Sequence, residues 1–132
     1  MFSDKKFIKS LKEAASKGVR IEVITANKAT KKSPVDSNAA GRAMLDKATR
    51  IWAVGGVDRY YHTKMILADY GKSNACAFIG SQNTTDEGLD RNRELGIILT
   101  DPDPLRILHS TFVDDWKANE KPRKRIPAIP PL

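Results

Sequence analysis

Two apolar segments joined by a short polar turn constrain the fold of this chain most strongly. Residues 60–69 read YYHTKMILAD, residues 75–80 read ACAFIG, and YGKSN lies between them. Apolar runs of this length on either side of a turn with Gly and Asn predict a β-hairpin. Because side chains alternate along a strand, His62 and Lys64 are expected on one face, where the first strand begins. A His and a Lys placed in this way are either a chance pair or a nucleophile beside an anion-binding group.

The segments around the hairpin predict an α/β fold with a mixed β-sheet sandwiched between helices. Ser3 is the expected N-cap of the first helix and Gly18 its end, while Asp103 is the expected N-cap of the last helix, with Pro104 in its first turn. The predicted helices cover 3–17, 38–56 and 101–119, and the predicted strands cover 19–26, 60–69, 75–80 and 93–100. Residues 1–120 are expected to form one domain, and the basic, proline-rich residues 121–132 a disordered tail.

Charge and composition limit the function classes. The chain has 132 residues, with 23 Lys and Arg against 16 Asp and Glu, and its net charge of +7 favours polyanionic partners such as phospholipid headgroups or nucleic acid. The single Cys76 cannot form an internal disulfide, and one Cys with two His leaves no Cys/His metal cluster to propose. No signal peptide or membrane-spanning apolar run is seen, so a cytoplasmic location is the expectation, with association with an anionic membrane left open.

A second pair of polar residues closes the other strand of the hairpin. Gly80 is followed by Ser81 and Asn83, again two positions apart. A hairpin places the start of one strand beside the end of the next, so His62 and Lys64 are expected close to Ser81 and Asn83. The ammonium, hydroxyl and carboxamide of this group are natural donors to phosphate oxygens.

The spacing H-x-K-x-x-x-x-D followed by G-S-x-N resembles the HKD motif of the phospholipase D superfamily. The matching residues are His62, Lys64, Asp69, Gly80, Ser81 and Asn83, and the downstream RNRELGIIL resembles the strand that carries the Glu of the family, here Glu94. The ten residues between Asp69 and Gly80 exceed the usual spacing, and an extension at a hairpin tip leaves the strand ends in register. The ending FVDDW favours the C-terminal half-domains of bacterial phospholipase D-like and cardiolipin-synthase-like proteins.

The resemblance implies a metal-independent phosphodiesterase or phosphatidyltransferase with no cofactor. In that chemistry His62 attacks phosphorus and forms a phosphohistidine, and Lys64, Ser81 and Asn83 hold the phosphate oxygens. Glu94 would orient His62 through its other ring N–H. Strict alternation puts Asp69 on the face opposite His62, so its expected role is to tie the hairpin together, although it belongs to the motif.

The resemblance also raises a question of completeness, because the family's site uses two HKD motifs and this chain has one. Either two copies pair as a homodimer, as single-motif nucleases of the family do, or the chain pairs with another half-domain. The strand expected before the first helix is missing from the sequence, which favours the second reading, a C-terminal portion of a longer protein. A phospholipid is the first expected substrate and nucleic acid the second. A remnant that binds phosphate without turnover remains an alternative.

Overall fold

The computed structural model describes residues 2–26, 38–45, 49–54 and 61–120 of the chain. Its elements follow the chain as α1 (Lys5–Ser16), β1 (Ile21–Ala26), α2 (Ala39–Ala43), β2 (Thr49–Val54), β3 (Met65–Ala68), β4 (Cys76–Gly80), a π-helical turn (Glu87–Arg91), β5 (Gly96–Leu99) and α3 (Pro102–Glu120). The chain therefore combines helices and strands in a mixed α/β fold, as predicted. The predicted tail over 121–132 and most of the polar loop before α2 lie outside the described residues.

Parallel and antiparallel pairing both occur, but in separate sheets. Strands β1 and β2 pair in parallel, with Ile21 opposite Thr49. Strands β3, β4 and β5 form an antiparallel sheet with β4 in the centre. Ahead of α1, where the sequence left a strand unaccounted for, Phe2 forms an isolated parallel bridge with Thr84. The described residues thus contain the pairing types of a mixed sheet, divided between two sheets.

The prediction of one helix over residues 38–56 is wrong. The helix α2 covers only five residues, and Thr49–Val54 is a strand that pairs with β1. The sequence of β2, TRIWAV, is rich in β-branched and aromatic residues, which fit a pleated strand better than a helix. In a run of six residues, helical and strand periodicity are hard to separate, and the pairing with β1 decides the outcome.

The first helix covers Lys5–Ser16, slightly less than predicted, and its N-cap lies one residue later than predicted. Asp4, not Ser3, is the N-cap, and its carboxylate accepts a hydrogen bond from the Phe7 N–H at 2.6 Å. Gly18 has φ +85°, a backbone conformation that ends a helix and is readily adopted by glycine. The last helix likewise starts at Pro102 rather than after Asp103, since proline at the first helical position needs no N–H partner.

Two groups of buried apolar side chains hold the elements together. One cluster joins Phe2, Ile8 and Leu45, with Phe7, Leu11 and Val23 packed against it. Complete burial of Ile8 contributes about 2–3 kcal/mol to folding. The other group consists of Ala77 of β4 with Leu105 and Trp116 of α3, all of which are buried. Helix α3 contacts β2, β3 and β4, so it lies against both sheets.

A buried asparagine fixes the N-terminal residues against α2. The side chain of Asn38 accepts a hydrogen bond from the Phe2 N–H at 2.9 Å and donates one to the Ala26 carbonyl at 2.6 Å. Because Asn38 precedes α2 and Ala26 ends β1, one side chain connects three separate segments. The hydrogen bonds of a buried side-chain amide are costly to break, since each lost partner leaves a polar group unsatisfied.

Candidate active site

The start of β3 and the end of β4 place Lys64 opposite Gly80. The Gly80 N–H donates a hydrogen bond to the Lys64 carbonyl at 3.2 Å, which continues the register of the hairpin beyond Met65 and Ile79. The Lys64 Nζ donates to the carbonyl of His62 at 2.8 Å. Lys64 is half-buried and His62 is exposed. A cation is therefore held at the entrance of the strand, within one hydrogen bond of the His62 backbone.

Ser81 closes the β4–β5 ladder with its side chain as well as its backbone. The Ser81 N–H donates to the Leu95 carbonyl at 2.9 Å, and the Leu95 N–H donates back to the Ser81 Oγ at 3.1 Å. The Ser81 hydroxyl in turn donates to the Glu94 carboxylate at 2.5 Å. A hydroxyl has one proton to donate, so Ser81 commits its proton to Glu94 in this arrangement.

Glu94 lies in a setting that keeps its carboxylate ionised. The hydrogen bond from Ser81 is the largest cause that lowers the pKa of Glu94, followed by a hydrogen bond from Asn92 Nδ2 at 3.2 Å. Burial acts the other way, and the positive charge of Lys64 lowers the pKa further. Because Gly80 is bonded to Lys64 and Ser81 to Leu95, residues from the ends of all three strands come together here. Asn92 was missed by the sequence analysis, although its i, i+2 spacing to Glu94 was a readable signal.

Asn83 lies between α1 and the π-helical turn. The next residue, Thr84, accepts hydrogen bonds through its carbonyl from Ser3 N–H at 2.8 Å and Asp4 N–H at 2.9 Å. On the other side Gly88 is buried so close to Asn83 that an added Cβ would overlap the Asn83 carbonyl oxygen. Thr85 holds this turn, because its hydroxyl accepts from the Gly88 N–H at 3.1 Å. The backbone at Asn83 is thus fixed by packing from two directions.

Gln82 is a second residue that the sequence pattern did not reveal. Its Oε1 occupies the place of a Cβ at Gly80, and its Nε2 lies beside the place of a Cβ at Gly96, which the Phe78 ring fills. Within the part of the chain that the structure describes, its Oε1 is buried and has no hydrogen-bond partner. The absence of a Cβ at Gly80 and Gly96 is therefore needed for the local packing between Ser81 and the end of β5.

Asp69 lies at the opposite end of β3 from Lys64. Five residues of extended chain separate the two, about 16 Å. Asp69 has φ +51°, and its carboxylate accepts hydrogen bonds from Lys72 Nζ at 2.6 Å and Asn74 Nδ2 at 3.0 Å. These contacts favour the structural role at the hairpin tip, with side chains rather than backbone groups as the partners of the carboxylate.

The ion pair of Asp69 at the hairpin tip predicts that the stability of the fold depends on pH. The hydrogen bond and charge of Lys72, with Asn74, lower the pKa of Asp69 below its ordinary 3.8. A lowered pKa means that the carboxylate stabilises the folded state above that ordinary value, and that this contribution is lost as the pH falls through the lowered pKa. Asp69→Asn, which retains the tolerance for positive φ, should therefore be less stable than wild type at neutral pH, and this difference should vanish on acidification.

The measurement is the urea midpoint of both proteins between about pH 7 and pH 2. Lys72→Met is the matched variant, because it removes the partner and leaves the carboxylate. A difference between wild type and Asp69→Asn that persists unchanged at the acid end would contradict an electrostatic origin and would point to the backbone instead.

Neither a metal cluster nor a membrane span occurs in the described residues. In residues 2–26, 38–45, 49–54 and 61–120, no three His, Cys, Asp or Glu side chains come together in a group that could hold a metal ion. In the same ranges, no helix combines the length and the apolar character needed to cross a bilayer.

Comparison with known families matches almost the whole chain to one of them. The family described as cardiolipin synthase, PLD-like domain, matches residues 1–116. The chain belongs to this family. The match covers both helix-rich ends and every residue of the candidate site, and it confirms the resemblance to phospholipase D and cardiolipin-synthase-like proteins. The chemistry of this family is phosphodiester hydrolysis and phosphatidyl transfer, and its domains commonly act as dimers or as paired half-domains. No curated protein matches the chain.

Proposed function

We propose that this chain carries out phosphodiester hydrolysis or phosphatidyl transfer through a covalent phosphohistidine on His62. The observation that supports the proposal is that Lys64, bonded to the His62 carbonyl, lies opposite Gly80 at the strand end where Ser81 is bonded to Glu94. A cation, a hydroxyl and an ionised carboxylate next to an imidazole are the groups that a phosphoryl transfer to histidine needs.

The first step forms one bond and breaks one. The unprotonated ring nitrogen of His62 attacks phosphorus, a P–N bond forms, and the bond from phosphorus to the leaving oxygen breaks. Charge on the non-bridging oxygens is stabilised by the Lys64 ammonium and the Asn83 carboxamide. In the second step, water or an alcohol attacks phosphorus, the P–N bond breaks, and His62 is restored.

Glu94 and Ser81 act on the imidazole and the phosphate in turn. An ionised Glu94 favours a positive imidazole nearby, so it supports the charge that His62 gains when the P–N bond forms. Before substrate binds, the Ser81 hydroxyl donates its hydrogen bond to Glu94. We propose that it donates to a phosphate oxygen instead when substrate is present. When the Ser81 hydroxyl turns away, the Glu94 carboxylate can accept a hydrogen bond from the His62 ring.

A second HKD motif supplies the acid of the first step. The leaving oxygen needs a proton, and a second histidine facing His62 would provide it and later take one from the attacking water. We propose that this histidine belongs to a second copy of the chain or to another half-domain.

The decisive experiment maps the covalent adduct. The chain is incubated with bis(p-nitrophenyl) phosphate in excess chelator, quenched in alkali, digested and analysed by mass spectrometry. Nitrophenolate leaves without a proton, so the first step does not depend on the second motif. We expect the phosphoryl group on the peptide with His62 and not on the peptide with His109, which stacks on Tyr70 at 3.9 Å. An adduct on His109, or none on a folded chain, would contradict the proposal.

A mixing experiment tests the second motif in the isolated chain. Wild type and His62→Ala are combined in equal amounts and allowed to exchange subunits. If each site needs two copies of His62, random pairing leaves roughly a quarter of the wild-type activity, whereas independent sites leave roughly half. Phosphatidylglycerol and a DNA oligonucleotide, offered in parallel to the wild type, separate the phospholipid from the nucleic-acid substrate.

A further inference from the structure

Helix α1 carries a row of lysines that the candidate active site does not use. At 100° per residue, Lys5, Lys9, Lys12 and Ser16 fall within about 60° of one another on the helix. All four are exposed. The opposite side of the helix packs into the core through Phe7 and Leu11. Lys9 has an ion-pair partner, Glu13, at 3.7 Å, but an exposed pair of this kind holds its ammonium only weakly.

The lysine row borders a shallow cleft with an apolar margin. The cleft has a volume of about 400 Å³ and is lined by the three lysines together with Ile8, Glu13, Ser16 and Met44. Met44, which follows α2, is 40% exposed, although methionine is a flexible apolar side chain that usually packs inside. Cationic and exposed apolar groups therefore meet at one edge of the molecule, as they do on surfaces that bind the interface of a bilayer.

We infer that this face, defined by Lys5, Lys9, Lys12 and Met44, docks the protein on an anionic phospholipid bilayer. The lysines complement the negative charge of the headgroups, and Met44 supplies an apolar contact below them. Nucleic acid is the less suitable occupant, because binding of single strands relies on exposed aromatic side chains and none of the residues lining the cleft is aromatic.

The docking face begins next to the candidate active site. Ser3 and Asp4, immediately before α1, donate their N–H groups to the carbonyl of Thr84, which directly follows Asn83. Lys6, on the next face of the helix, lies 3.7 Å from Asp90 of the π-helical turn. The docking face therefore starts at the end of α1 that is bonded to the segment carrying Asn83.

The test is sedimentation of the full chain with vesicles of phosphatidylcholine alone or with about one-third phosphatidylglycerol. Each lysine near an anionic surface is worth roughly fivefold in affinity, so Lys5→Gln, Lys9→Gln and Lys12→Gln together should weaken binding about 100-fold. The matched control, Lys72→Gln, Arg106→Gln and Lys117→Gln, removes the same charge outside α1 and should change binding by less than about fivefold. Equal thermal midpoints show that both variants are folded. His62→Ala should bind like wild type.

Three results would overturn the inference. Equal losses in the two triple variants would mean attraction by net charge alone. If the wild-type chain did not sediment with anionic vesicles, this face would not dock on a bilayer. If the wild-type chain bound an oligonucleotide through Lys5, Lys9 and Lys12 instead, the face would be a nucleic-acid site. Met44→Ser should lower binding a further fewfold at high salt, where the lysine contribution is screened and the apolar contact remains.

Discussion

Replacing Lys64 with methionine is expected to lower turnover of a phosphodiester about a thousandfold, or about 4 kcal/mol in transition-state free energy. Methionine keeps much of the apolar stem of the half-buried lysine and removes only the ammonium. Charge grows on the phosphate oxygens as the P–N bond forms, and the ammonium stabilises that charge more than the charge of the bound substrate. The loss should therefore appear in kcat as well as in KM.

A second readout follows from the same substitution. The charge of Lys64 is one of the causes that hold down the pKa of Glu94, so the pKa of Glu94 should move back toward its ordinary value in Lys64→Met. The hydrogen bonds from Ser81 and Asn92 remain, so the recovery should be partial. A carboxyl titration followed by NMR measures this change independently of turnover.

Lys72→Met is the control for Lys64→Met. Lys72 belongs to the same hairpin and its Nζ also lies within hydrogen-bond distance of a neighbouring oxygen, but that oxygen belongs to Asp69 at the tip. Turnover in Lys72→Met should stay within about twofold of wild type, since the tip lies about 16 Å from Lys64. If Lys64→Met kept more than a tenth of the wild-type rate, or if both variants lost activity equally, Lys64 would not be the phosphate-binding cation.

The hairpin and its polar residues could be predicted because their information is local. Period-two alternation and a turn sequence fix which residues share a face, and the hairpin register then brings Lys64 beside the end of β4 without knowledge of the rest of the fold. The parallel pairing of β2 with β1 has no such local signal. Its partners are 28 positions apart in the chain, as Ile21 and Thr49 show, so the segment that forms β2 was assigned to a helix.

The hydrogen bonds within the site were not predictable in the same way. Ser81 has one proton, and whether it goes to a phosphate or to Glu94 depends on distances that a sequence pattern does not contain. The ladder explains the outcome, because the Leu95 N–H occupies the Ser81 oxygen and leaves the proton directed at Glu94. Asn92 joins the same carboxylate because the chain leaves the π-helical turn in an extended conformation at this residue.

The packing around Asn83 leads to the second large prediction, for Gly88→Ala. Gly88 lies in the π-helical turn without a positive φ, so helix propensity alone would make alanine favourable by about 1 kcal/mol. The new methyl group, however, would overlap the Asn83 carbonyl oxygen and lie 3.0 Å from the Asn83 nitrogen. Overpacking against backbone costs about 1–3 kcal/mol or more, and here the backbone cannot yield freely because Thr84 is bonded to Ser3 and Asp4.

We therefore expect Gly88→Ala to lower the free energy of unfolding by about 2 kcal/mol, the collision outweighing the propensity gain. Gly71→Ala is the matched control, because its Cβ would meet open space and the only cost is its φ of +88°. It should lose about 1 kcal/mol, and its affinity for phosphate should be unchanged. Gly88→Ala should also weaken phosphate binding, since relief of the overlap displaces the backbone of Asn83. Urea unfolding and an NMR phosphate titration separate the two effects. An alanine at position 88 that stabilises the protein would show that Asn83 is not held by this turn.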